Sequence, residues 1–129
     1  MGTSFQELIV WQRAVELCTE IYRLTAAFPQ VEQFGLSNQL RRAAVSIASN
    51  IAEGWGRPTR GEYLQFLGHA RGSLCELQTQ LVIAKALGFG SAELLATTDK
   101  HSADVSRLLI ALIRKMRGKD RGPCPLVPS

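Results

Sequence analysis

Histidine and cysteine are scarce in this sequence, which limits the chemistry it can perform. His69 and His101 are its two histidines and fall in separate helical stretches. Neither belongs to a Glu-x-x-His pair of the kind a di-iron helical bundle uses. Cys18, Cys75 and Cys124 show no disulfide-like or metal-like spacing. Cys18 and Cys75 lie in helical patterns and read as small packing residues, while Cys124 reads as an exposed thiol in a Pro-rich tail. Serines are frequent, yet there is no nucleophile elbow and no Walker loop. Gly54-Trp55-Gly56 is too short to cradle a phosphate and reads as a helix stop with a turn. These residues predict a protein that is not an enzyme and carries no metal or cofactor.

The remaining polar chemistry is cationic. Lys100, Arg107 and Arg114 repeat every seven residues, Lys115, Arg117, Lys119 and Arg121 extend that charge, and Arg57 and Arg60 flank one turn. The net charge is +4, and its distribution is uneven. Residues 1–106 carry nine Lys/Arg against ten Asp/Glu, whereas residues 107–129 carry six against one. Clustered cations attract polyanions, so Arg57, Arg60, Lys100, Arg107, Arg114, Lys115 and Arg117 are candidate contacts to RNA or DNA. A solvated helix face is the commoner meaning of such a stripe. Because no aromatic residues alternate with these cations along the chain, contact is expected with phosphates and largely independent of sequence. Asn50 and Glu53 form a second polar pair, expected to bond neighbouring helix ends, or Arg41 and Arg42 across an interface, rather than to line a channel or partner site as specificity groups.

The elements that position these groups read as four helices in series. Leu8, Trp11, Val15, Cys18 and Tyr22 recur at helical spacing, extended by Val10, Ala14, Leu17, Ile21 and Leu24, and predict a helix over 5–27 ended by Phe28-Pro29. Ser37 is the expected N-cap of a second helix carrying Leu40, Ala44, Ile47 and Ile51. Thr59-Arg60-Gly61-Glu62 has the form of a capping box and opens a third helix that presents Tyr63, Phe66, Leu67, Ala70, Leu74, Leu77 and Leu81 and stops at Gly88. Ser91 caps a fourth, with Leu94, Thr98, Val105, Leu108, Leu112 and Met116 inward and His101 at the core edge, ending near Gly118. Residues 119–129 hold three prolines and no periodicity, so a flexible C-terminal tail is expected after a single domain over 1–118. No stretch alternates long enough for a strand, and short connections imply antiparallel neighbours. The predicted fold is an all-α, up-down-up-down four-helix bundle. No apolar run approaches the roughly 18–20 residues of a membrane span, and the N-terminus lacks a signal-peptide pattern; a cytoplasmic location without membrane attachment is expected.

Two helices, the first and the second, carry more apolar surface than such a bundle needs, and the third carries a smooth stripe. In the second, Leu40, Ala43, Ala44, Val45, Ile47, Ala48, Ile51, Ala52 and Trp55 cover an arc of roughly 200°, against a little over about 100° for a helix buried on one side. In the third, Gly61, Gly68, Gly72, Cys75 and Thr79 form a stripe of small residues opposite the large ones. Tight packing within one bundle would explain this pattern, but contact between subunits explains it better. Arg41, Val45, Ala48, Ala52, Trp55, Gly68 and Gly72 are therefore the expected oligomer-interface residues.

Three blocks, LIVWQRA (8–14), FPQVEQFGLSNQLRRAAVSIASNIAEGWGR (28–57) and FLGHARGSLCELQTQLVIAKALG (66–88), resemble a bacterial four-helix bundle family. That family was first named for proteins encoded in intervening sequences of 23S ribosomal RNA genes. The resemblance spans roughly residues 5–112. It implies a bundle assembled as a homopentameric barrel, cytosolic and of undetermined role, and brings no catalytic residues. Accessory proteins of diversity-generating retroelements are also similar, and there the basic barrel is thought to engage a reverse transcriptase and nucleic acid. Two functions follow as expectations: an oligomeric adaptor that binds RNA or DNA through basic surfaces, or an oligomeric scaffold for another protein.

Overall fold

A computed structural model describes residues 4–118; the tail expected over 119–129, with Lys119, Arg121 and Cys124, lies outside them. Four α-helices follow one another: α1 Ile9–Ala26, α2 Leu36–Trp55, α3 Arg60–Leu87 and α4 Ala92–Gly118. Short 3-10 turns at Phe5–Glu7 and Gln30–Glu32 precede α1 and α2, and no strand occurs among the described residues. α1 packs on α2 and α4, α3 packs on the same two helices, and the diagonal pairs do not touch. The α2–α3 register runs antiparallel: Gln39 meets Gln80, Ser46 meets Ser73 and Gly54 meets Phe66. No described helix is long and apolar enough to cross a membrane.

The first helix starts later than expected. Ser4 accepts from the Gln6 amide at 3.1 Å and caps the 3-10 turn, Leu8 is extended, and α1 begins at Ile9. Its core face is Val10, Ala14, Leu17, Ile21 and Leu24. Trp11, Val15 and Cys18 lie half-buried beside it and Tyr22 is exposed, so the two stripes have opposite ranks to those expected. The fourth helix is rotated the opposite way, its core row falling one residue later than expected: Leu95, Thr98, Ser102, Val105, Leu109 and Ile113 are buried, while Leu94 is exposed and Leu108, Leu112 and Met116 pack at the margin.

Ser37 is not the cap of α2. It is buried within the helix, and Gly35 holds the capping position. The Glu32 carboxylate accepts from the Leu36 amide at 2.9 Å instead, satisfying a free first-turn donor from outside the helix. Thr59 does cap α3, its hydroxyl oxygen accepting from the Glu62 amide at 3.1 Å, and Ser91 caps α4 by accepting from the Leu94 amide at 3.0 Å. Gly88, at φ 74°, ends α3 as expected. Gly90, at φ 78°, lies so close to α1 that a Cβ there would come within 2.9 Å of Leu24 Cδ1 and Phe28 Cε1.

Part of the small-residue content of α2 is spent inside the bundle. Ser46 and Ser73 share a 2.8 Å hydrogen bond between helices, and Asn50 donates to Ser46 at 2.9 Å. Gly54 is a helical residue rather than a stop: a Cβ there would stand 2.8 Å from Phe66 Cβ and 3.0 Å from Tyr63 Cδ1. Hydroxyls and a bare backbone let α2 and α3 approach closely, and theirs is the most extensive helix pair. The glycine stripe of α3 is different. Nothing lies within 4 Å of a Cβ built at Gly61, Gly68 or Gly72, so packing within the bundle does not account for it.

Candidate functional site

Alternating helix direction sorts the surface by bundle end. One end holds the α1–α2 and α3–α4 connections; the other holds the start of α1, the α2–α3 turn and the end of α4. Large apolar side chains gather at the first end. Val31 is 85% exposed, Phe34 87%, Val82 67% and Leu87 57%, with Ile83 and Leu94 beside them in the chain.

Cations gather at the second end. Arg57 and Arg60 come from the α2–α3 turn, and Arg114, Lys115 and Arg117 from the last turns of α4. Carboxylates at this end are Glu7, Glu53 and Glu62, so five cations face three acids. Five of the seven expected nucleic-acid contacts thus lie at one end of the bundle. Lys100 and Arg107 are not. Successive members of the seven-residue repeat are about 10 Å apart along α4, which leaves Lys100 about 20 Å from Arg114. Arg107 is tied to Asp104, one turn away on the same helix.

The neighbours of each cation modify its chemistry. Arg57 donates to Glu53 at 2.7 Å, and its guanidinium lies over the Phe66 ring, 4.6 Å from the centroid. Phe66 in turn meets exposed His69 edge-on at 5.7 Å. Trp55 and Tyr63 form a second edge-on pair at 6.3 Å, and Phe5 and Trp11 a third at 5.2 Å, all toward this end. The separation of aromatics from cations expected from the sequence is thus corrected in space, because the turn folds Arg57 back over a residue nine positions later. The Arg117 Nε is buried without a hydrogen-bond partner, its side chain lying with Leu64, Gly68, Arg71, Gly72, Cys75 and Ile113 along an open groove of about 350 Å³ between α3 and α4. Burial raises the Tyr63 phenol above its usual range and does the same to the Cys18 thiol.

Within the single chain, Asn50 bonds Ser46 and Glu53 pairs with Arg57. Arg41 donates to Thr25 at 2.8 Å and lies 4.9 Å from the Tyr22 ring centroid, which fixes it against α1. Among the other expected interface residues, Val45, Gly68 and Gly72 are exposed, whereas Ala48, Ala52 and Trp55 are half-buried. His101 sits at the core edge as expected, and its Nδ1 meets the Glu20 carboxylate across the α1–α4 contact. That pair has no signature in sequence spacing, since its members stand 81 residues apart. Among the described residues, no three His, Cys, Asp or Glu side chains are placed to hold a metal ion.

Residues 6–111 match the family model described as 23S rRNA-intervening sequence protein. A solved structure from Bacteroides thetaiotaomicron, described as a protein of unknown function from the S23 ribosomal protein family, is similar in fold. The two share 22% identity over 82% of this chain and 99% of that one, with a TM-score of 0.74. No curated protein matches the chain.

Proposed function

From the premise that this chain belongs to the 23S rRNA-intervening sequence protein family, we propose that it is a non-enzymatic, homo-oligomeric adaptor that binds RNA or DNA phosphates at its cation-rich end. The observation that carries this reading is the convergence of Arg57, Arg60, Arg114, Lys115 and Arg117 from two separate segments of the chain. Repetition of that end in an oligomer, a pentameric barrel by the family resemblance, multiplies the field of a modestly charged subunit. The working location is the cytoplasm, without a membrane or cofactor role. Exposed Val45 and the open glycine stripe support self-association, because they are apolar or smooth surfaces with no use inside one bundle.

Fluorescence anisotropy with labelled RNA and DNA, titrated at several salt concentrations, tests the reading. Phosphate binding weakens steeply with salt, and replacing Arg114 and Lys115 by Gln should flatten the log–log salt slope by about one unit for each phosphate no longer neutralised. No binding of either nucleic acid at low salt would remove it. A second reading, a scaffold for another protein, is favoured by the apolar end around Val31, Phe34, Val82 and Leu87. Association there would respond little to salt.

A further inference from the structure

We propose that Arg57, Phe66 and His69 form a stacking platform for unpaired bases, so that the ligand class is single-stranded nucleic acid; this rests on the nucleic-acid reading above. The argument starts from planarity. A guanidinium is a flat cation with two faces, and that of Arg57 is centred over the Phe66 ring, its carbon 4.6 Å from the centroid. The Glu53 carboxylate holds the edge of the group at 2.7 Å, which orients it. The Arg57 side chain nevertheless keeps 38% of its surface open to solvent, beyond what a sealed structural clamp would leave.

His69 is a second exposed planar group held against Phe66. Its ring meets the phenyl edge-on at 5.7 Å and is exposed. Phe66 itself is anchored, because its Cβ faces the bare backbone of Gly54. The ring thus backs two exposed planar groups without moving. Bases inside a duplex are already stacked on each other and present only their edges, whereas unpaired bases offer open faces to Arg and aromatic planes. The nearby Arg60, Arg114, Lys115 and Arg117 supply the positive field that tracks the backbone of such a strand.

The experiment uses the tag-free full chain and four probes with equal numbers of phosphates: single-stranded RNA, single-stranded DNA, an abasic single strand that keeps every phosphate, and a duplex of half their length. Stacking predicts that both base-bearing single strands bind about tenfold or more tightly than the abasic strand. Arg57→Lys, which keeps the charge and loses the plane, and His69→Ala should each erase much of that difference, and His69→Ala should leave abasic and duplex binding and the melting temperature near those of the wild type. Equal wild-type binding of all four probes would overturn the platform and leave phosphate binding standing. So would loss of affinity for every probe alike in Arg57→Lys. Failure of the wild type to bind any probe at low salt would overturn both.

Discussion

Gly54 and Gly72 sit on the two helices that pack most extensively, yet their surroundings are opposite. A methyl group at Gly54 meets Phe66 Cβ, Tyr63 Cδ1 and the Tyr63 carbonyl oxygen, the last at 3.3 Å, all on α3. The nearest, Phe66 Cβ, is the root of a side chain and the Tyr63 oxygen is backbone, so the helices themselves must part. Gly54→Ala is therefore expected to cost about 1–3 kcal/mol in chemical denaturation, despite alanine's better helix propensity. An unchanged or raised midpoint would show that the α2–α3 contact is looser than it looks. A similar contrast separates the cysteines. Cys75 is exposed, while Cys18 is half-buried with its thiol pushed up by desolvation. Because the thiolate is the reactive form, alkylation followed by mass spectrometry at pH 8 should modify Cys75 well before Cys18. The reverse order would mean that α1 opens readily along that side.

At the scale of elements, helix number, extent and most boundaries were legible in the sequence, because period and caps are local signals. The sense of rotation was not. On α1, Val10, Ala14, Leu17, Ile21 and Leu24 have the same 4-3-4-3 rhythm as Trp11, Val15, Cys18 and Tyr22 shifted by one residue. Periodicity alone gives both rows equal claim to the core. Side-chain form decides between them: Leu and Ile lack polar atoms, whereas Trp and Tyr carry a polar tip and settle at the margin. The same one-residue ambiguity placed Leu94 and Leu108 ahead of Leu95 and Leu109. The cap of α2 was missed for another reason, since Glu32 reaches forward from the preceding turn instead of occupying the cap position. The candidate site was legible only as a set of cations. Its aromatic partners depend on a fold-back across the α2–α3 turn, which no periodic signal encodes. The α3 stripe carries the prediction at this scale. Gly68→Leu with Gly72→Leu should leave helix content intact, because each position is open in the single chain. It should also lower the oligomer mass if copies meet there. An unchanged mass in light scattering would move the subunit contact elsewhere.

At the scale of the whole molecule, the wild type should scatter as a species several times 14.2 kDa at micromolar concentration, and a monomer at every concentration would exclude the oligomer. Charge separation between bundle ends also has a simple origin. Alternating helices cancel their dipoles, since each end combines two N-termini with two C-termini. The field at the cation-rich end therefore comes from side chains, and substitution of those side chains can remove it. The even number of helices has a practical corollary. A chain that crosses the bundle four times returns to the side it left, so Ser4 and Gly118 emerge beside Arg57 and Arg60. A fusion joined directly at Ser4 or Gly118 would crowd the surface an experimenter wants bare, and an acidic one would compete for it. Labels belong at the far end, in one of the two helix connections there.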